Sequence, residues 1–78
     1  MENTQEYKTK DLGEAAALIV KSQKFLWIER QGKICFFVFE DKTSCARLSN
    51  DYFFGQLLVN ARDYKEKMDM LKNRIFAG

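Results

Sequence analysis

The chain has 78 residues, of which 46% are hydrophobic and 31% charged, a composition typical of one small globular domain and not of a disordered or fibrous protein. Its net charge of +2 is too small to require a nucleic-acid partner and too mixed to indicate a membrane surface. No apolar segment resembles a signal peptide or is long enough to span a bilayer, and the two cysteines form no CxxC pattern. We therefore expect a single cytoplasmic domain over residues 1–78 with free thiols, and with frayed ends at residues 1–5 and 77–78.

The first elements predicted are a short strand and a helix. Residues 7–9, Tyr-Lys-Thr, have the pattern of a short strand. Asp11 followed three residues later by Glu14 fits a capping box, so a helix should begin near Leu12. Its apolar face would carry Leu12, Ala15, Ala16, Ile19 and Val20.

A β-hairpin is the strongest signal in the chain. Two runs rich in aromatic and β-branched residues, at 24–30 and 33–40, flank Gln31 and Gly32, a two-residue link with glycine. With the turn at Gln31 and Gly32, the pairs on one face are Glu29 with Ile34, Trp27 with Phe36 and Phe25 with Val38. The pairs on the other face are Arg30 with Lys33, Ile28 with Cys35, Leu26 with Phe37 and Lys24 with Phe39. Both faces are then apolar at their centre, so we expect both to be covered by helices, by a dimer partner or by a ligand.

Two more helices and a weak strand are predicted after the hairpin. Asp41 or Thr43 can cap a helix that ends at Gly55 and carries Cys45, Leu48 and Tyr52 on one face. Residues 56–59 are a short apolar segment that fits an edge strand. Asn60, with Asp63 three residues later, predicts the start of a last helix whose apolar stripe is Tyr64, Met68, Leu71 and Ile75.

The predicted order is β-α-β-β-α-β-α, an α+β fold in which an antiparallel sheet centred on the hairpin packs with helices. This order is that of the split βαβ, ferredoxin-like arrangement with an additional C-terminal helix. The two crossover helices of such a sheet lie on one face. We expect the last helix to cross the opposite face.

The sequence offers little for catalysis. Histidine is absent, which removes the usual general base and zinc ligand, and two cysteines cannot complete a closed zinc site. The four glycines are too scattered for a phosphate-binding loop. Glu40 and Asp41 could act as an acid and a base, but their position before a helix favours capping. We predict a protein that is not an enzyme, with no catalytic residue, no cofactor, no metal and no small-molecule ligand.

Two sets of residues are candidates for an interaction surface. Residues 33–40 partly match the first signature of RNA-recognition sheets, at Lys33, Phe37 and Val38, and stacking of bases would require the aromatic side chains to lie on an uncovered face. A core role for Trp27, Phe36 and Phe37 is the favoured interpretation. The candidate surface comprises Trp27, Phe36, Phe37, Arg62, Lys65 and Lys72.

The basic members of this set lie on the last predicted helix. Arg62 is spaced to pair with Glu66, and Lys65 with Asp69, as on an ordinary solvated face. We favour that interpretation over phosphate binding. The leading hypothesis is therefore a protein partner or self-association, and the alternative is binding of nucleic acid through basic residues.

Three segments carry a resemblance to a known family. They are Thr-Lys-Asp-Leu at 9–12, Phe-Val-Phe-Glu-Asp at 37–41 and Leu-Lys at 71–72. With the apolar first helix and the hairpin, they resemble a family of short proteins of unknown function found in bacteria, phages and mobile elements. The resemblance spans nearly the whole chain and implies an accessory role related to DNA or to host factors. It implies no catalytic or binding residue.

Overall fold

The computed structural model describes residues 5–77, which form one three-stranded sheet and three helices. The elements are β1 (Tyr7–Thr9), α1 (Leu12–Val20), β2 (Phe25–Gln31), β3 (Ile34–Phe39), α2 (Lys42–Phe53) and α3 (Ala61–Ala77). The strand order is β1-β3-β2, and β3 is antiparallel to both neighbours. The predicted α+β class is confirmed. Of the residues predicted to fray, 1–4 and 78 lie outside the described residues. Gln5 O accepts a hydrogen bond from Lys42 N at 2.8 Å, and Ala77 is the last residue of α3.

The predicted fourth strand is wrong. The split βαβ unit consists of β1, α1 and β2, with β3 between the two strands. Residues 56–59 belong to no strand. Gln56 N instead donates to Asp51 O at 2.8 Å, which ties the segment to the end of α2. Because Asn60 then starts α3, the intervening chain is too short to return to the sheet.

The hairpin turn lies one residue later than predicted. Gln31 pairs with Ile34, so the two turn residues are Gly32 and Lys33. Only Gly32 has a positive φ, of 62°, as expected for a type II′ turn with glycine at its first central position. The shift changes the pairing partners, so that Ile28 pairs with Phe37. Near the turn, each side chain still points to the predicted side of the hairpin.

A β-bulge in β2 changes the predicted arrangement at the far end of the hairpin. The regular register is interrupted between Phe25 and Trp27, and Phe25 pairs with Phe39 instead of Val38. The two aromatic rings lie 5.5 Å apart between centroids. Phe25 is therefore directed toward the helices, and the prediction that it shares a face with Trp27 is wrong.

All three helices contribute to one hydrophobic core against a single face of the sheet. The buried cluster comprises Ala15, Ala16, Leu18, Phe37, Phe39, Cys45 and Leu71. The predicted stripe of α3 is confirmed, since Tyr64, Met68 and Ile75 pack around this cluster with Leu71. The expectation that α3 crosses the opposite face is wrong, because α3 packs on α1, whose small alanine side chains allow close approach.

Polar contacts hold the C-terminal end of α3 and the first turn of each of the three helices. Arg30 Nη2 donates to Ile75 O at 2.7 Å, which attaches the C-terminal end of α3 to β2. Side-chain oxygens of Asp11, Asp41 and Asn60 accept from the amides three residues later, at 2.8, 3.2 and 3.1 Å. These contacts confirm the predicted helix starts and select Asp41 rather than Thr43 as the cap of α2.

Candidate functional site

The face of the sheet that points away from the helices is a candidate surface, and we call it the outer face. Because side chains alternate along a strand, the register assigns to it Lys8, Trp27, Glu29, Gln31, Ile34, Phe36 and Val38. None of these residues belongs to the core cluster. Of the residues predicted as an interaction surface, Trp27 and Phe36 lie here.

The centre of the outer face is apolar and partly open. Trp27 is 46% exposed and Ile34 is 44% exposed, while Phe36 is partly buried. Val38, between Lys8 on β1 and Trp27 on β2, is fully covered by its neighbours. An apolar strip of Trp27, Ile34, Phe36 and Val38 therefore runs along the outer face, and no helix within residues 5–77 packs on it.

An ion pair crosses this strip. Lys8 Nζ lies 3.0 Å from Glu29 Oε1, so the pair bridges the two edge strands above β3. Gln31 Nε2 also donates to Glu29 Oε2 at 2.6 Å. Hydrogen bonds from Lys8 and then from Gln31 lower the pKa of Glu29, which keeps this carboxylate charged.

Phe37 is not part of the outer face. Its side chain is 1% exposed and lies in the core against the helices. In the partial match to the RNA-recognition signature, Phe37 is the aromatic residue that matches. The stacking hypothesis for this residue is therefore wrong, because a ring covered by helices cannot receive a base.

The three basic candidates lie on α3, away from the outer face. Arg62, Lys65 and Lys72 are all exposed. The predicted pair of Lys65 with Asp69 is confirmed at 2.9 Å, whereas Arg62 and Glu66 do not form an ion pair in the part of the chain described. Since α3 packs over the opposite side of the sheet, the six candidate residues do not form one site.

A buried polar cluster surrounds Glu14 near the start of α1. Glu14 is 2% exposed, and its carboxylate accepts hydrogen bonds from Tyr7 Oη at 2.5 Å and from Thr9 Oγ1 at 2.6 Å. Burial, and then the bond to Glu14, raise the pKa of Tyr7 to about 12. The capping box assigned to Glu14 is therefore only half formed, since Asp11 N donates to Thr9 Oγ1 instead. This cluster was not predicted from the sequence. The signal for it was that Tyr7 and Thr9, two residues apart on β1, place their polar side chains on the same face of the strand.

Two further tyrosines approach the first turn of α1 at Gly13. Tyr64 Oη donates to Gly13 O at 3.3 Å. The hydroxyl of Tyr52 lies so near that a Cβ at position 13 would overlap it. A hydrogen bond with Tyr64, and then burial, raise the pKa of Tyr52. The cluster joins α1, α2 and α3, and its groups bond to one another, so it acts as a structural support.

The two cysteines are free and lie in different surroundings. Cys35 is only partly buried and accepts a weak hydrogen bond from Arg30 Nη1 at 3.4 Å. Cys45 is fully buried, and desolvation raises the pKa of its thiol to about 11. Such a thiol is protonated at neutral pH and is a poor nucleophile.

Comparisons with protein-family models, with curated proteins and with solved structures found no match. The resemblance to short proteins of unknown function stays a prediction. In the described part of the chain, every helix is too short or too polar to cross a membrane.

Proposed function

We propose that this domain is a non-enzymatic interaction module that associates through its outer face, and that its partner is a second copy of the chain. The observation that carries the proposal is the apolar strip of Trp27, Ile34 and Phe36, on which no helix within residues 5–77 packs, on a sheet whose other face carries the three helices. An antiparallel sheet usually presents polar residues to water on its free face. Apolar residues at these positions favour contact with another surface.

The charges beside the strip favour a second copy over an unrelated partner. Lys8 and Glu29 lie side by side, so the outer face carries one positive and one negative group next to the same apolar surface. In a dimer with twofold symmetry, the same patch meets itself in reverse orientation. Lys8 of each copy can then approach Glu29 of the other, and the face complements itself.

The size of the face predicts a weak association. Strands about 4.8 Å apart with a rise of about 3.4 Å per residue give a face of roughly 14 by 24 Å for three strands of up to seven residues. That area is less than half of the roughly 800 Å² per partner of a stable complex. We therefore expect a dimer that forms in the micromolar to millimolar range and exchanges rapidly.

Trp27, the one tryptophan of the chain, is the reporter for the test. Dilution from about 1 mM to about 1 μM covers the range of dissociation constants expected for such an interface. At the high end, sedimentation should report a dimer and the emission of Trp27 should shift to shorter wavelength. Trp27→Lys should abolish the dimer in sedimentation, whereas Phe54→Lys, a matched change at an exposed phenylalanine after α2, should not.

The charge pair supplies a second test. Lys8→Glu should weaken the dimer by like-charge repulsion, and combination with Glu29→Lys should restore it because the pair is rebuilt with reversed signs. The proposal fails if the chain stays monomeric over the whole range, or if Phe54→Lys dissociates the dimer and Trp27→Lys does not.

A further inference from the structure

β3 is paired along its whole length on one side only. β2 pairs with all of residues 34–39, whereas β1 pairs with residues 37–39 alone. The cause is the start of α1: Asp11 caps the helix, so the chain leaves the sheet after Thr9. Among the described residues, nothing pairs with the first half of β3 on the side of β1.

The backbone of Cys35 is the part of β3 that faces this gap. In a hairpin with a two-residue turn, the residues next to the turn are hydrogen-bonded to each other, so Ile34 and then Phe36 turn their backbone groups toward β2. Cys35 therefore turns its N–H and C=O toward the gap. β1 pairs only with residues 37–39, and no backbone hydrogen bond from a loop or a helix reaches these two groups in the described part of the chain. The gap thus offers one donor and one acceptor of the kind that a strand supplies and receives.

A cleft of about 360 Å³ opens beside these groups. Its floor is apolar, formed by Leu12 of α1, Phe37 of β3 and Ile75 of α3. Its remaining lining is Lys10, Lys33, Ile34 and Cys35. Its volume is at the lower end of the range of ligand pockets and suits one or two apolar side chains.

The charge at the cleft is positive. Lys10 and Lys33 both line it, and neither has a carboxylate within 4.0 Å among residues 5–77. The guanidinium of Arg30 lies at the same end, in contact with Cys35 Sγ and Ile75 O, and adds a third positive group. The nearby carboxylate of Asp11 is engaged with the amide of Glu14 in the cap of α1.

We propose that this cleft binds the C-terminal end of an extended peptide whose last residue is apolar. The peptide pairs with Cys35 as a short added strand, its terminal carboxylate lies between Lys10 and Lys33, and its last side chain packs on the apolar floor. A main-chain donor and acceptor and a side-chain pocket are the means by which a sheet edge binds an extended peptide, and the two lysines can form charge-assisted hydrogen bonds with its terminal carboxylate. The cleft shares Ile34 with the outer face, but its test uses Lys10, Lys33 and Cys35 and that of the dimer uses Lys8, Trp27 and Glu29, so either proposal can fail without the other.

The test uses fluorescent hexapeptides randomised at their last three positions, prepared as free carboxylates and as C-terminal amides. The full chain should bind the free carboxylates that end in Val, Ile or Leu, and amidation should weaken binding by roughly tenfold or more, because the charge-assisted contacts with two lysines are lost. In nuclear magnetic resonance spectra, the amide of Cys35 should shift on titration.

The matched variants separate this site from general attraction by positive charge. Lys10→Met with Lys33→Met should weaken binding of the free carboxylates by roughly tenfold and leave thermal unfolding unchanged, because both side chains are exposed. Lys65→Met with Lys72→Met removes the same charge from α3 and should leave binding unchanged. Equal binding of acids and amides, equal loss in the two double variants, or no binding at about 1 mM peptide would overturn the proposal.

Discussion

At the scale of single residues, the interior around α1 depends on the small size of Gly13. The hydroxyls of Tyr52 and Tyr64 occupy the space where a side chain would stand. Glycine in a helix costs roughly 1 kcal/mol relative to alanine. The close approach of the tyrosines, which joins α2 and α3 to α1, offsets this cost.

We expect Gly13→Ala to destabilise the protein by roughly 1 kcal/mol, because overpacking costs about 1–3 kcal/mol and exceeds the gain in helix propensity. In a Tyr52→Phe background the overlapping oxygen is gone, and Gly13→Ala should become neutral or stabilising. Urea unfolding of the four proteins in this cycle measures both values. A stabilising effect of Gly13→Ala in the wild-type chain would contradict the steric argument.

The polar cluster at Glu14 predicts loss of stability in alkaline solution. The pKa of Tyr7 is about 12 in the folded protein, above its ordinary value of 10.0, so folding favours the protonated phenol. Its contribution is fully present below pH 10 and is lost as the pH rises through about 12. We expect the free energy of unfolding to fall over this interval. The buried Cys45 thiol should begin a similar loss earlier, between pH 9.0 and about 11.

Tyr7→Phe isolates the contribution of the phenol. The variant should be less stable at neutral pH, because Glu14 loses a hydrogen bond, but its stability should depend less steeply on pH above 10. Both proteins retain Cys45, so its titration cancels in the difference. Urea unfolding at pH 8 to 11 provides the comparison, and parallel curves above pH 10 would show that Tyr7 does not titrate as described.

At the scale of elements, α2 begins at a residue with an unusual backbone. Asp41 has φ 66° and ψ 77°, in the left-handed region, and its side chain also caps the helix by accepting from Ser44 N and Ser44 Oγ. Aspartate and asparagine tolerate this backbone better than most other residues. One residue therefore both redirects the chain out of β3 and starts the helix.

We expect Asp41→Ala to cost about 2–3 kcal/mol, since roughly 1 kcal/mol comes from the lost cap and about 1–2 kcal/mol from the left-handed backbone. Asp41→Asn should be nearly neutral, and Asp41→Gly should fall between the two. The matched control is Asp11→Ala at the start of α1, where φ is −84° and only the cap is lost. Thermal unfolding gives the order, and equal losses at Asp11 and Asp41 would contradict the role of the backbone.

Local patterns in the sequence predicted most elements but not their long-range partners. The caps at Asp11, Asp41 and Asn60 and the stripe of α3 were predictable because each depends on residues within one or two turns. The prediction of a fourth strand failed because strand pairing depends on residues that are distant in the sequence. The predicted position of the turn was wrong because glycine fits either of the two central positions of a hairpin turn, depending on the turn type.

The candidate site was predictable only in part for the same reason. Trp27 and Phe37 have similar chemistry and adjacent places in the predicted ribbon, but one is open to solvent and the other is buried. The sequence showed that both faces were apolar. It did not show which face the helices cover, because that depends on the packing of α3 against α1.

At the scale of the whole molecule, the fold is two-layered, with helices on one side of the sheet only. The three helices share one core, and the outer face has no cover within residues 5–77. A chain of this size has a small core, and association adds buried surface that it cannot supply alone. The proposed dimer would convert two layers into four, with the two sheets at the centre.

The bulge near Phe25 also determines which residues of β2 face the helices. Toward the turn, even-numbered residues such as Ile28 face the helices, and beyond the bulge an odd-numbered residue, Phe25, does so. The number of residues between the bulge and the turn is therefore fixed. Removal of one residue from this interval would exchange the two sides of the strand, bringing the indole of Trp27 into the interior and Ile28 into water.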